Sequence, residues 1–217
     1  MDSLATACDL FSLTISIKKT EVLFQGIGES PSIILNGQPL NNVEKFVYLG
    51  STITSSLSLD EELNSRIGKA ATTFGKLIGR VWTNNKLTTK TKMLVYQACV
   101  LTTLLYGSET WTLYACQEKR LNSFHMRCLR RILGIKWQDK TTHTEVLYRT
   151  EQTSLYPILR RRRLRWLGHV KRMDATRIPK QILYGELLQG KRGTVPPKLR
   201  YKDDSKRTLK DHCINED

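Results

Sequence analysis

The sequence predicts an α+β protein in which a small antiparallel β unit is followed by a mostly helical bundle and a basic helical extension. Short β-rich segments separated by turn residues are confined to the N-terminal part. From Ser58 onward, apolar residues recur every three or four positions, which is the period of an α-helix. The charge changes at the same place: residues 1–60 hold three basic and six acidic residues (net −3), and residues 61–217 hold 32 and 14 (net +18). The two parts are therefore expected to have different functions.

Turn signals between short apolar runs predict the strands of the β unit. Residues 20–25 are predicted to form one strand. The dipeptide Asn36-Gly37 lies between two further runs, and it tolerates the positive φ angles that a type I′ hairpin turn requires. Residues 46–53 are rich in β-branched and aromatic side chains, which predicts another strand with a turn at Gly50.

Three helices are predicted for the bundle at residues 58–134. Ser58 and Glu61 have the spacing of a capping box, which marks a helix N-terminus. One face of the helix that follows is apolar and consists of Leu63, Ile67, Ala70, Phe74, Leu77 and Val81. The second helix, residues 88–107, is apolar nearly all round, which predicts a buried central position. The third helix, residues 117–133, has its apolar face at Leu121, Phe124, Cys128 and Ile132.

The rest of the chain is more basic and less regular. A short helical piece is predicted at residues 145–148, and a long helix is predicted to begin at Ser154. From about Ile178 the chain becomes polar and basic. An extended loop is predicted at residues 190–200, followed by a weak terminal helix at residues 203–212.

Cysteine usage and hydropathy limit the class of protein. The five cysteines are odd in number and show no C-x-x-C spacing, which favours a reduced, intracellular chain in the nucleus or cytoplasm. The longest apolar stretch, Met93 to Tyr106, is shorter than the about 20 residues that a bilayer requires. We therefore expect a buried helix there, no membrane association and no secretory signal.

The strongest functional signal is the basic run from Arg160 to Arg172, in which seven of thirteen residues are Lys or Arg and none is acidic. Several cations on one helix can contact successive phosphates, so we predict a nucleic-acid contact. The predicted phosphate-binding residues are Arg160, Arg161, Arg162, Arg163, Arg165, Lys171 and Arg172. The alternative is a solvated basic face. Trp166 lies within the run; stacking on a base is one function, and packing in the core is the favoured one.

A second basic segment begins at Gly190 and contains Lys191 and Arg192, with further lysines and arginines after it. Such a segment can follow a nucleic-acid backbone and become ordered on binding. It can equally be a solvated tail, and the sequence leaves both possibilities open.

Two patterns suggest metal sites and are judged weak. Tyr201-Lys-Asp-Asp204 has the form of the Asp-Asp box of a reverse transcriptase, but it follows a Pro-Pro loop and has no apolar strand beside it. An exposed helix start is the preferred interpretation. His125 and Cys128 have a metal-like spacing, but His125 falls near the apolar stripe of a helix, where a packed histidine is more common.

Six segments of the chain, in this order, resemble the C-terminal half of the reverse transcriptase of non-LTR (LINE-type, RTE-like) retrotransposons. They are Ala7–Glu21, Phe46–Ser51, Leu105–Trp111, Arg127–Ile135, Arg162–Val170 and Leu199–Asp203. Each segment is weak by itself, and the order of all six makes the resemblance specific.

The resemblance implies three regions: a palm remnant at residues 1–57, a helical thumb-like bundle at 58–134 and a basic C-terminal region at 135–217. It also implies nucleic-acid-binding residues in the first region. Lys18 or Lys19 corresponds to a palm lysine near the incoming nucleotide. Tyr48, Leu49 and Gly50 correspond to the primer grip, a β hairpin that holds the 3′ end of the growing strand.

The resemblance further implies that the chain is a truncated, catalytically inactive fragment. The fingers and the catalytic aspartates would precede Met1, so no cofactor is expected here, and Mg²⁺ belongs only to the full-length relative. The expected partner is RNA or an RNA/DNA duplex. Two alternatives remain: a stand-alone nucleic-acid-binding module, and a non-enzymatic interaction protein.

Overall fold

The computed structural model describes residues 2–25, 32–35, 37–185 and 199–211. This part of the chain contains helices and a few two-stranded sheets, which confirms the predicted α+β class. It divides into two compact units, one ending at Ser65 and the other beginning at Arg66. The assignment of the three predicted regions to palm, thumb and extension remains a prediction.

In its described residues, the first unit contains one α-helix, a 3₁₀ turn (Ile17–Lys19), six short strands and the start of a second α-helix. These elements are α1 (Asp2–Leu10), β1 (Glu21–Val22), β2 (Ile34–Leu35), β3 (Gln38–Pro39), β4 (Asn41–Asn42), β5 (Lys45–Tyr48), β6 (Ser51–Thr54) and α2 (Asp60–Lys76). The strands form three pairs: β1 with β4 in parallel, and β2 with β3 and β5 with β6 antiparallel. The unit is therefore mainly, but not entirely, antiparallel.

The hairpin predicted at Asn36-Gly37 is present. Leu35 pairs with Gln38, so the connection has two residues, and Gly37 has a φ of 74°. Asn36 lies outside the described residues. The local turn chemistry was sufficient for this prediction because the signal depends on adjacent residues.

The turn predicted at Gly50 is also a two-residue hairpin connection. Tyr48 pairs with Ser51, and the two residues between them, Leu49 and Gly50, have φ angles of 47° and 85°. Positive φ at both central positions is the geometry of a type I′ turn. Leucine rarely adopts a left-handed conformation, so Leu49 is strained here.

The predicted capping box at Ser58 forms differently from the expected pattern. Ser58 Oγ accepts a hydrogen bond from the backbone N–H of Asp60 (3.2 Å). Glu61 instead lies near Lys45, with 3.9 Å between the carboxylate and Nζ. Glu62 is buried and accepts a hydrogen bond from the backbone N–H of Thr52 (2.7 Å), which fixes the start of α2 against β6.

The second unit is helical in the part of the chain that the structure describes. Its elements after the boundary within α2 are α3 (Thr89–Val95), α4 (Thr102–Leu104), α5 (Ala115–Ile132), α6 (His143–Thr150), α7 (Leu155–Arg172), α8 (Ile178–Tyr184) and α9 (Tyr201–Asp211). Two π-helical turns, Ile78–Trp82 and Tyr96–Leu101, interrupt the regular helices. Helix α8 was not predicted because its start, with Pro179, has the composition of a loop; proline is tolerated there because it lies in the first turn.

The predicted buried position of residues 88–107 is wrong for one face of this segment. Met93, Tyr96 and Val100 are buried, but Leu94 and Ala98 on the opposite side are exposed. Apolar composition alone therefore overestimated the burial of this segment, because only one side of it is covered by other elements of the unit.

Helix α5 packs against α6 and α7 and contributes eight buried residues. Its predicted apolar face is buried, and the helix ends before Gly134, which has a φ of 69°. His125 is buried on this helix as expected: Tyr96 Oη lies 2.7 Å from Nδ1, and Nε2 lies 3.1 Å from the carbonyl oxygen of Thr153. Since a carbonyl can only accept, Nε2 donates to it and Nδ1 accepts from the tyrosine.

None of the described helices is long and apolar enough to span a bilayer.

Candidate nucleic-acid interface

Helix α7 separates its side chains into an inner and an outer face. The inner face is buried and consists of Leu155, Leu159, Arg163, Leu167 and Val170, at helical spacing. On the other side, Arg161, Arg165 and Arg172 are exposed. Arg160, Arg162 and Lys171 are half-buried between the two faces. The helix therefore presents part of its arginine run to solvent, as predicted, but not all of it.

An open pocket of about 540 Å³ lies along the outer face of α7. It is lined by Glu109, Arg162, Arg165, Trp166, His169 and Arg172. Five of these residues belong to α7; positions 162, 165, 169 and 172 recur every three or four residues and Trp166 is next to Arg165, which places the set on one side of the helix. We refer to this set of six residues as the arginine pocket.

Arg162 forms the edge of the arginine pocket. Its Nη1 donates a hydrogen bond to the carbonyl oxygen of Leu105 (2.8 Å) and lies 4.0 Å from a carboxylate oxygen of Glu109. The 3₁₀ turn Ser108–Thr110, which packs on α7, brings Glu109 to this position. The guanidinium is thus held in place before any ligand binds.

Trp166 lies at the wall of the arginine pocket, with its ring centroid 5.4 Å from that of His169. It is half-buried and also lines an apolar cavity of about 450 Å³, together with Val170, Ile182 and Tyr201. The favoured prediction, a core position, is thus only partly correct. An indole that is held by its neighbours and reaches a basic pocket is suited to stacking.

Gly168 lies beside the same pocket. A Cβ atom at this position would be 3.3 Å from Nη1 of Arg172. The guanidinium therefore lies close over the backbone of α7, where the missing side chain leaves room for it. Arg172 lies one turn after Gly168, and a side chain at position 168 would compete with it for this space.

Arg163 does not belong to the interface, which corrects its predicted function. Its side chain is buried, and its Nη1 lies 2.7 Å from Oδ2 of Asp204. Nη1 also donates to Thr208 Oγ1 (3.3 Å), and Tyr201 donates to the carbonyl oxygen of Arg163 (3.1 Å). These contacts join α7 to α9, so Arg163 stabilises the fold instead of contacting a phosphate.

The Tyr201-x-Asp-Asp204 segment forms the first turn of α9, and both of its carboxylates form ion pairs with arginines. Asp203 accepts two hydrogen bonds from Arg200, both of 2.8 Å. Asp204 is paired with Arg163 and accepts from Arg207 (2.6 Å). The predicted helix start is confirmed, but Asp204 is buried and not exposed. Ion pairs with arginine leave these two carboxylates unsuited to a divalent metal.

A third acidic residue approaches the inner side of α7. Burial raises the pKa of Glu118, while the nearby Arg163 and Arg160 lower it and Asp204 raises it. Arg160 is therefore close enough to Glu118 on α5 to interact with its charge, and it is only partly directed to solvent. Among the arginines of α7, those at positions 161, 165 and 172 are exposed.

The remaining predicted site residues lie elsewhere or outside the described chain. Lys18 and Lys19 are exposed in a 3₁₀ turn of the first unit, and Tyr48 and Leu49 are exposed at the tip of the β5–β6 hairpin, with Gly50 half-buried. These residues belong to the first unit and are not part of the arginine pocket. Lys191 and Arg192 lie outside the described residues.

Sequence reasoning did not assign two members of the arginine pocket to the site. His169 was recognised within the basic run beside Trp166, and helical spacing places it on the same side of α7. Glu109 is separated from Arg162 by more than fifty residues of sequence, and no local pattern indicated it. A second basic surface, the exposed side of α5 with Lys119, Arg127 and Arg131, was also not assigned to a site.

Among the described residues, no group of three or more His, Cys, Asp or Glu side chains could hold a metal ion. His125 and Cys128 are both buried in the core, and burial lowers the pKa of His125 to about 4 and raises that of Cys128 to about 12. Both groups are therefore neutral near pH 7 and function in packing.

Comparison with known proteins shows a relation to mobile elements. The chain is 28% identical over 182 residues to an uncharacterized transposon-derived protein of Caenorhabditis elegans, a match that covers 79% of this chain and 64% of that protein. It is 24% identical over 119 residues to the RNA-directed DNA polymerase from mobile element jockey of Drosophila melanogaster. The jockey polymerase of Drosophila funebris matches at 24% identity over 120 residues.

The two jockey matches cover 54% and 55% of this chain and 13% of each polymerase, so the chain spans a small part of those proteins. No family model matches the sequence, and no solved structure matches it. The chain is thus related to transposon-derived proteins, among them RNA-directed DNA polymerases of a LINE-type element. This relation agrees with the resemblance that the six sequence segments carry.

Proposed function

We propose that this chain is a nucleic-acid-binding part of an RTE-like non-LTR reverse transcriptase, corresponding to the end of the palm, the thumb and the basic region after it. RNA or an RNA/DNA duplex is the proposed partner. The observation that carries the proposal is the outer face of α7, where Arg161, Arg165 and Arg172 are exposed beside the arginine pocket. The similarity to RNA-directed DNA polymerases supports the same partner class.

The charge distribution agrees with phosphate binding. The chain carries a formal net charge of +15, and all of this excess lies after residue 60. A helix that exposes three arginines along one side can follow a phosphate backbone, because successive exposed positions advance along the helix axis. Phosphate contacts of this kind give affinity without sequence specificity.

Salt dependence tests the proposal. Binding of a labelled RNA/DNA duplex is measured by fluorescence anisotropy over a range of salt concentrations, and log K is expected to fall linearly with log salt. The combined variant Arg161→Gln, Arg165→Gln and Arg172→Gln removes three charges from the proposed interface. We expect the salt slope to become shallower by about 3 and the affinity at low salt to fall by more than about tenfold.

A charge-matched control separates the interface from general electrostatic attraction. Lys69, Lys76 and Lys86 are exposed and lie outside the arginine pocket, so the combined variant Lys69→Gln, Lys76→Gln and Lys86→Gln removes the same charge elsewhere. This variant is expected to lose much less affinity. Equal losses in the two variants, or no binding at low salt, would contradict the proposal.

We also propose that this chain does not polymerise nucleotides by itself. The support is that both carboxylates of this segment are already in ion pairs. Asp203 is paired with Arg200, and Asp204 is paired with Arg163 and Arg207. Two-metal nucleotidyl transfer requires carboxylates that can hold divalent ions, so no magnesium-dependent activity is expected. Incorporation of labelled nucleotide on a primed template by the purified chain would refute this.

A further inference from the structure

We propose that the arginine pocket holds one unpaired nucleotide of a single-stranded RNA or DNA segment, with its base stacked on Trp166 and its phosphate on the arginines. This inference rests on the proposed function and adds a preference for unpaired over paired nucleotides. Neither the relatives' names nor the sequence resemblance assigns such a site.

The aromatic side chains argue for an unpaired base. The ring of Trp166 reaches the pocket and is half-buried, so its position is fixed by its neighbours, including His169 at 5.4 Å between centroids. A base inside a duplex already stacks on both of its neighbours, so a side chain can stack only on a base that has left the helix. Aromatic residues beside basic grooves are typical of proteins that bind single strands.

The dimensions and charges of the pocket argue for one nucleotide. Its volume of about 540 Å³ falls in the range of sites that accept a small molecule. Arg162 is held in place by the carbonyl oxygen of Leu105, so one guanidinium group is positioned before binding, and the Arg172 guanidinium lies over the backbone at Gly168. Glu109 lies beside Arg162 at the other edge. A carboxylate repels phosphate but accepts hydrogen bonds from sugar hydroxyls and base amino groups, which orients the phosphate toward Arg165 and Arg172.

Tryptophan fluorescence provides a direct test. The chain has four tryptophans; Trp82 and Trp111 are buried, whereas Trp137 is 86% exposed. In a Trp137→Phe background, quenching by an added oligonucleotide therefore reports mainly on Trp166. Single-stranded oligo(dT) or oligo(U) is expected to quench this signal, and a blunt duplex is expected to quench it little. The additional substitution Trp166→Phe should abolish the quenching.

Affinity measurements provide the second arm. Trp166→Leu keeps an apolar side chain against the neighbouring cavity but cannot stack, and Trp166→Phe keeps a smaller ring. We expect Trp166→Leu to weaken single-strand binding by about tenfold and Trp166→Phe to restore most of it, with the affinity for blunt duplex unchanged in both. Circular dichroism melting curves show whether each variant is folded; if Trp166→Leu is unfolded, the fluorescence comparison with Trp166→Phe decides.

The outcomes distinguish this inference from the proposed function. If neither single strands nor duplex bind at low salt, the proposed function fails, and the inference fails with it. If both bind with equal affinity, quench equally and tolerate Trp166→Leu equally, the inference alone is overturned. Single-strand quenching that disappears with Trp166→Phe, together with a selective loss in Trp166→Leu, supports it.

Discussion

Arg163 Nη1 lies 2.7 Å from Oδ2 of Asp204, and both side chains are buried between α7 and α9. The pair divides the arginine run of α7 into two functions. One arginine neutralises a buried carboxylate and connects two helices, whereas its exposed neighbours remain available to a ligand. A basic run on a helix is therefore not one surface, since its members point in different directions around the axis.

Breaking this pair should destabilise the fold. Asp204→Asn leaves the Arg163 guanidinium buried without its counter-ion, and the free energy of unfolding is expected to fall by about 3 kcal/mol. Asp203→Asn is the matched control, because the Asp203 carboxylate is partly exposed and its partner, Arg200, is only three residues away. This variant is expected to lower the free energy of unfolding by less than about 1 kcal/mol. Urea denaturation of both variants gives the two values. Similar losses in both variants would show that the buried Arg163–Asp204 pair stabilises the fold no more than the exposed Arg200–Asp203 pair does.

His125 makes stability depend on pH. Burial lowers its pKa from 6.5 to about 4, and the hydrogen bond to Thr153 only partly opposes this. Because the folded pKa lies below the unfolded one, the unfolded chain binds more protons between these values, and stability falls as the pH falls from 6.5 to about 4. A shift of this size corresponds to about 3 kcal/mol.

The variant His125→Gln tests this dependence. It should be less stable than the wild type near neutral pH because packing and the contact with Tyr96 are disturbed, but it lacks the titrating imidazole. Urea midpoints of both proteins are measured from neutral pH down to mildly acidic pH. The difference between them is expected to shrink on acidification, since carboxylates titrate equally in both. A constant difference across this window would rule out His125 as the cause.

Local sequence signals predicted much of the fold. They did not predict contacts between residues that are far apart in the sequence. The two-residue hairpin connection at Gly37 and the bounds of α5 and α7 follow from adjacent residues and helical period. The partner of Arg163 is more than forty residues away, and Glu109 reaches the pocket only through the packing of a 3₁₀ turn on α7. For the same reason, the basic run identified the helix that carries the arginine pocket but could not identify which arginine is internal.

Substitution of Gly168 by alanine is expected to stabilise the fold and to weaken nucleic-acid binding. Glycine inside a helix costs about 1 kcal/mol relative to alanine, so Gly168→Ala should raise the free energy of unfolding by up to that amount. The new Cβ would lie 3.3 Å from Arg172 Nη1 and should displace this flexible guanidinium from the arginine pocket. We expect oligonucleotide affinity to fall by about threefold to tenfold, by loss of one phosphate contact. Gly75→Ala on α2, where a Cβ meets nothing within 4 Å, is the control that should stabilise without changing affinity. Unchanged binding by Gly168→Ala would argue against the placement of Arg172 at the ligand.

Leu49 is the second position where stability and binding are expected to oppose each other. Its φ of 47° costs about 1–2 kcal/mol for a residue with a branched apolar side chain, and Asn is favoured at this turn position. Leu49→Asn should therefore stabilise the β5–β6 hairpin by about 1 kcal/mol, measured as an increased unfolding free energy of the whole chain. The side chain is 76% exposed, so little packing is lost in return. If the hairpin holds a primer end, as its sequence resemblance implies, the same substitution should weaken binding to a primed RNA/DNA duplex.

Val47→Asn is the control for the Leu49 prediction. It is an exposed change within the extended strand and should destabilise the hairpin, because asparagine is disfavoured in strands. A Leu49→Asn variant that is less stable than the wild type would contradict the assigned strain.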